Sequence, residues 1–322
     1  MSLNKIFIFF LLLLLPLQSM AILGFSGRKE QHQKIAAARE AYAKGNYGEA
    51  IRISQDFLTQ NQDAPKRRAR RIYIVLGDTY AALGDYDHAL LTYQAALELL
   101  PKDADLNLSL ADLYYKTELY DKAIEFYKKT LKYDKNNSSA LLGLGRSYLK
   151  IGFLSQSRQY FKEYLDGNDN PDNTVYYDYS FVNFLSNKQS IALEYALKMK
   201  EITPHNPDTY FLIAKIHNSL NERSLAIENI EKAVELSNKR EDIFLTAMLW
   251  KSYEKEYTDE ALKEIKIYQK DHPQSQLAVI IEAISYLSKG KKDKYFKTLQ
   301  KIQNSNKNSF IKQAVQQILK NN

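Results

Sequence analysis

Few side chains in this sequence are of a kind and spacing that do covalent chemistry. There is no Cys, which removes thiolate nucleophiles, thiolate metal ligands and disulfides together. The five His residues (His32, His88, His205, His217 and His272) are scattered, and none forms the His-Glu-x-x-His pair that would place two imidazoles on one helix face around zinc. No Walker-type phosphate loop and no Gly-x-Ser-x-Gly elbow occurs. Asp85 and Asp87 flank Tyr86 at a turn, where solvated carboxylates are ordinary. The sequence therefore predicts no catalytic residue, no metal site, no cofactor and no enzyme activity. Its strongest electrostatic feature is the run Lys66, Arg67, Arg68, Arg70 and Arg71, with no acid among them. That run is either the solvated face of a long helix or a patch for an anionic surface, such as acidic lipid or a cell-wall polyanion. Nucleic acid is not an expected partner.

Binding, not catalysis, is thus the expected function, and it needs elements that position a binding surface. Apolar residues make up 45% and charged residues 26% of the 322, an ordinary balance for a soluble chain, and seven Pro with eleven Gly are too few for a β-rich one. The stretch Arg70–Asp103 reads as two short amphipathic helices joined at Leu83-Gly84-Asp85 and closed by Pro101. Its marks are Leu76, Gly77, Tyr80, Gly84, Tyr86, Ala89, Tyr93, Ala96, Leu97 and Pro101. They return without insertion at 104–137 (Leu110, Ala111, Tyr114, Tyr120, Ala123, Tyr127, Leu131) and at 138–171 (Leu144, Gly145, Tyr148, Gly152, Ser157, Phe161, Leu165). Small residues such as Gly77 and Ala89 let two helices approach, aromatic ones fill the seams, and stacking of neighbours supplies a core that no pair builds alone.

This spacing of small, aromatic and Pro positions at about 34 residues resembles the tetratricopeptide repeat. Looser copies lie at 31–64, with five extra residues lengthening the next helix back to Pro65, and at 173–206, 207–240, 242–275 and 276–309. His217 stands where these repeats place an inward Tyr and reads as a packed residue. The resemblance implies an all-α, right-handed superhelical solenoid of about eight helix pairs, with Phe310–Leu319 opening a capping helix at 310–322. Repeats 1–4 would occupy 31–171 and the more degenerate repeats 5–8 would occupy 172–309, after a flexible lead at 22–30.

In the family, first-helix positions two, five, nine, twelve and thirteen line the concave face. Carried over, they give a candidate partner-binding groove of Leu108, Tyr115, Arg146, Leu149, Lys150, Tyr177, Phe181, Phe184, Phe211, Lys215, Trp250 and Tyr253. Position five holds no Lys in any copy, so the carboxylate clamp of the co-chaperone branch is absent. An aromatic stripe rimmed by cations would suit a partner's amphipathic helix or peptide segment with apolar anchors and some acidic groups, unless the same side chains are core.

The N-terminus reads differently. Lys5 precedes an unbroken apolar run, Ile6–Leu17, followed by Ser19 and Ala21 at the −3 and −1 places of a cleavage site. Twelve helical residues reach only about 18 Å, short of the roughly 30 Å hydrocarbon core. The expectation is a cleaved secretory signal at 1–21 and a periplasmic scaffold of a bacterial cell envelope. The alternative is an uncleaved inner-membrane anchor, with membrane contact through 1–25 and the basic run gripping acidic lipid or wall polymer. The chain carries a formal +7, or +6 without Lys5, which favours solubility and selects no partner.

Overall fold

A computed structural model describes residues 27–169, 171–303 and 310–320. The predicted signal at 1–21 lies outside these residues. Among the described residues are seventeen helices and no strand, an all-α arrangement of eight antiparallel pairs and one further helix. No described helix is long and apolar enough to cross a membrane. The chain divides into two compact units, Met1–Pro171 and Asp172–Asn322.

The first unit contains α1 (27–43), α2 (Tyr47–Gln60), α3 (Lys66–Ala82), α4 (Tyr86–Leu99), α5 (Ala104–Lys116), α6 (Tyr120–Tyr133), α7 (Ser138–Lys150) and α8 (Leu154–Asp166). Residues 27–30, expected in a flexible lead, are instead the first turn of α1. Within α1 Glu30 pairs with Lys34 at 3.1 Å, and that end is tied to the α2 side by Gln31 donating to Asn61 Oδ1 and Lys34 to Gln60 Oε1, each at 2.7 Å. Pro65 caps α3, which starts four residues before the first position of its repeat. Short polar side chains start other helices. Asp103 accepts from Leu106 N (3.1 Å) and Asn137 from Ala140 N (2.9 Å), each satisfying one amide left without a partner in the first turn.

In this unit the turn inside each pair holds one residue in the left-handed region. Gly45, Gly84 and Gly152 supply it at φ 76°, 79° and 80°, but Glu118 holds the same place in its repeat at φ 61°.

Three buried rings show how the pairs lock: Tyr93, Tyr127 and Phe161, each at the same place in α4, α6 and α8. Each rests on one glycine. A Cβ added at Gly145 would lie 2.6 Å from Phe161, far inside ordinary contact, and one at Gly77 would meet Tyr93 still more closely. Ala111 occupies the corresponding place in α5, and there Tyr127 leans onto the following helix instead, against Gly143 of α7. Every ring thus needs one missing methyl, on its own first helix or on the next.

The second unit contains α9 (Asn173–Leu185), α10 (Gln189–Ile202), α11 (Pro207–Ser219), α12 (Arg223–Leu236), α13 (Glu241–Tyr253), α14 (Thr258–Asp271), α15 (Gln276–Ser288), α16 (Lys292–Gln303) and α17 (Phe310–Lys320). Aliphatic side chains replace the rings: Ile230, Ile265 and Leu299 stand where Tyr93 stands in its repeat. Lys251 of α13 is only 2% exposed, and its ammonium pairs with Glu231 of α12 and, at 2.9 Å, with Glu260 of α14. Burial pulls its pKa down, but hydrogen bonds to both carboxylates outweigh that and hold the pKa above the ordinary lysine value. At the end of the unit Val315 of α17 packs with Ala283, Leu299 and Ile302.

Candidate functional site

In the first unit, α3 and α5 bring two carboxylates to one concavity. The Tyr93 hydroxyl donates to Asp78, and the Tyr127 hydroxyl donates to Asp112 at 2.6 Å. The rings that lock the helix pairs therefore also aim their hydroxyls at the two acids. Desolvation raises both carboxyl pKa values, partly offset by the Tyr hydrogen bonds and, at Asp78, by the charge of Arg39; Asp112, an exposed residue, is raised further by the charge of Asp78. Both Tyr hydroxyls are pushed far upward, first by burial and then by the adjacent carboxylate, so they stay protonated donors. The concavity measures about 330 Å³ and includes Tyr42, Ala81, Ser109 and Lys116 in its wall. Lys116 donates to the Ala81 carbonyl at 3.0 Å, and its ammonium lies 5.4 Å from the centre of the Tyr86 ring. The concavity thus sets two carboxylates at its centre, with the Lys116 ammonium in its wall and Arg39 acting on Asp78.

The groove residues predicted in this unit have a mixed placement. Leu108, Tyr115, Arg146 and Leu149 are half-buried and Lys150 is exposed, with Leu108 and Tyr115 packed on the main core cluster. Asp78 carries none of the packing marks of its repeat, so nothing in the local sequence singles it out.

In the second unit, Tyr177 and Phe181 stack with ring centres 6.1 Å apart, and with Phe184 they pack half-buried on Leu212, Ile213 and Ile216. Phe211, expected in the groove, is buried at 9% exposure in the core cluster with Ile243 and Phe244. The Lys215 ammonium lies 3.8 Å from its ring centre, and burial lowers the Lys215 pKa against the opposing pull of Asp242 and Asp208. Trp250 is half-buried on the same cluster, whereas Tyr253 is 60% exposed. The apolar stripe is therefore largely packed, and its one strongly exposed ring borders a second cavity of about 480 Å³ between α15, α16 and α17.

The basic run is also less open than its sequence reads. Arg70 is held by Asp103 (2.8 Å) and Asp105 at the start of α5, and Arg68 donates to Gln31. Only Lys66, Arg67 and Arg71 are exposed. Acids 33 and 35 residues downstream of Arg70 in the chain, invisible in the local run, neutralise its centre. His217 is mostly buried and pairs through Nδ1 with Glu222 at 2.6 Å. Among the described residues no three His, Asp or Glu side chains converge as a metal set.

Comparison with known proteins decides what these pairs are. Family models described as tetratricopeptide repeat match residues 35–104, 74–139 and 108–173, and a further one matches 207–240, together more than half of the chain. The chain belongs to the tetratricopeptide-repeat family.

Similar solved structures are those of a tetratricopeptide repeat protein from Parabacteroides merdae (15% identity, TM-score 0.54, covering 91% of this chain and 98% of that one) and of the C-terminal part of a repeat-containing protein from Cytophaga hutchinsonii (16%, 0.56, 82% and 99%). A third is YrrB, described as a TPR protein with an unusual peptide-binding site (20%, 0.50, 58% and 95%). At these identities they share the fold. A curated relative, the Sol locus transcriptional repressor of Clostridium acetobutylicum, is 30% identical over 135 residues, 42% of this chain and 39% of that protein. The match thus spans about two fifths of that relative's length. Asp78 and Asp112 hold position nine of successive repeats, and Ala81 and Lys116 hold positions twelve and thirteen.

Proposed function

We propose that this protein is a non-enzymatic interaction scaffold that holds an extended peptide segment of a partner protein, with a basic side chain of that peptide between Asp78 and Asp112. One observation carries the reading. Inner-face positions that contact ligand in this family line an open concavity whose centre is two carboxylates, held in place from behind by Tyr93 and Tyr127. Position-fixed carboxylates in a partly desolvated groove favour a cation, since leaving them unmatched under a bound peptide costs more than exposure to water. The sequence-level expectation of acidic groups on the partner is accordingly replaced, for this unit, by basic ones. The apolar run Ile6–Leu17 and the small residues Ser19 and Ala21 support export to a bacterial cell envelope, where such a scaffold would serve assembly or secretion machinery.

Fluorescence anisotropy with short labelled peptides presenting Lys, acetyl-lysine or Glu at one site tests the groove. Lys peptides should bind best, and the Asp78→Asn/Asp112→Asn variant should weaken them about tenfold or more, the scale of a charged hydrogen bond. Equal binding of Lys and Glu peptides, or of native protein and variant, would sink the reading. N-terminal sequencing of the native protein checks export separately: a start at Ile22 supports it, and an intact Met1 favours the anchored alternative.

A further inference from the structure

The last helix pair departs from the other seven at one place. Where the second helix crosses the first, seven pairs carry Ala50, Ala89, Ala123, Ser157, Ala192, Ala226 and Ala261, all buried. In α16 that place holds Tyr295, whose half-buried side chain forms part of the wall of the 480 Å³ cavity. Most of the rest of the wall is aliphatic, with Ile280, Ile284 and Leu287 of α15, Leu299 of α16, and Ala314 and Ile318 of α17, and Phe310 adds a further ring. A lone first helix, α17, closes over the inner face of the last repeat without filling it.

The chemistry of this wall restricts its occupant. Besides Tyr295, the polar side chains in it are Tyr253 and Ser288, and the Ser288 hydroxyl already donates to the Ser252 carbonyl at 2.6 Å. A peptide would bring an amide and a carbonyl with every residue and find almost nothing to satisfy them, at a cost of roughly 1–3 kcal/mol per group. A hydrocarbon chain brings none. The volume agrees, since an apolar cavity of roughly 150 Å³ already takes benzene and ligand pockets run to roughly 300–1,000 Å³. One end of the wall, Leu287 and Ser288, leads directly into the turn that carries Lys289, Lys291 and Lys292. Lys289 pairs with Asp259, while Lys291 and Lys292 are exposed. The cavity lining itself carries no charge, and the ammonium groups just beyond that end, shared in part with Asp259, complement a carboxylate head.

We propose that the cavity between α15, α16 and α17 binds a single-chain alkyl carboxylate, its chain among Ile284, Leu299 and Ala314 and its head at the Lys289–Lys292 turn. The site is in the second unit and does not depend on the peptide-binding reading of the first.

A fluorescent fatty-acid analogue, displaced by unlabelled alkyl carboxylates below their micelle concentrations, tests this on the full chain. Affinity should rise roughly fourfold per added methylene until the cavity is full. Alkylammonium ions of the same length should bind at least tenfold more weakly, and Lys291→Glu/Lys292→Glu should reverse that preference. Ala314→Trp and, separately, Ile284→Trp should fill the cavity and abolish displaceable binding while helical content by circular dichroism is kept. Absence of length dependence in the native protein, equal binding of the two head-group charges, or undiminished binding by both Trp variants would overturn the proposal. Displacement by an amphipathic peptide of sequence 310–320 but not by alkyl carboxylates would overturn it too, assigning the cavity to a helix.

Discussion

Gly143→Ala puts the ring-and-glycine arrangement to the sharpest test. By helix propensity alone the change should stabilise α7 by about 1 kcal/mol. The structure reverses the sign. The new methyl meets the buried Tyr127 ring well inside van der Waals contact, and overpacking of this kind costs about 1–3 kcal/mol. If the ring tips to make room, its hydroxyl leaves Asp112, and a hydrogen bond to a charged partner contributes about 1.5–3 kcal/mol. The net expectation is a loss of about 1–3 kcal/mol. Ala111→Gly, which opens the other side of the ring, should by itself cost about 1 kcal/mol as a glycine in a helix. Combined with Gly143→Ala it gives Tyr127 the space against its own first helix that Tyr93 and Phe161 already use. The double variant should therefore be more stable than the sum of the singles by about 1–2 kcal/mol, within the range seen for coupled neighbours. Urea unfolding by far-ultraviolet circular dichroism measures the totals. Hydrogen exchange across α6 and α7 locates the change, and fluorescence of Trp250, the single Trp, serves as a reference in the second unit. Stabilisation by Gly143→Ala, or additive singles, would refute the reasoning.

Glu118→Gly should raise stability by about 1 kcal/mol in thermal unfolding, because a non-glycine side chain at φ 61° carries left-handed strain that glycine lacks. Asp78→Asn/Asp112→Asn should keep both Tyr hydrogen bonds but remove two carboxyls whose folded pKa is raised. A raised carboxyl contributes stability below its unfolded pKa and loses it as pH rises through the folded pKa, so the variant should melt higher than the native protein at pH 7 and converge with it in acid. Lys251→Met should cost roughly 1–2 kcal/mol in urea unfolding, toward the low end for charged hydrogen bonds because Glu231 and Glu260 are half exposed and can rehydrate. Phe211→Ala should cost about 3–5 kcal/mol as a core truncation, whereas Tyr253→Ala should change stability by less than about 0.5 kcal/mol. Equal effects at those two positions would mean that the second unit's stripe is not divided into core and surface.

The sequence by itself determined the helix pairs. Small residues such as Gly77 and Ala89 and aromatic ones such as Tyr93 recur at fixed spacing because every pair must solve the same packing problem, so the period is written locally and repeatedly. Residues whose environment comes from other helices were not legible in this way. Arg70 reads as the centre of a bare basic run until α5 brings Asp103 and Asp105 to it. Phe211 holds an inner-face position by count, yet neighbouring helices close over it. Asp78 carries no mark in the repeat and becomes a candidate contact only when α4 turns the Tyr93 hydroxyl onto it and α5 sets Asp112 beside it. A repeat's period fixes which residues pack within and between pairs, because those contacts recur. Charge pairing, burial and cavities depend on which unlike side chains meet across helices, and only the folded arrangement decides that.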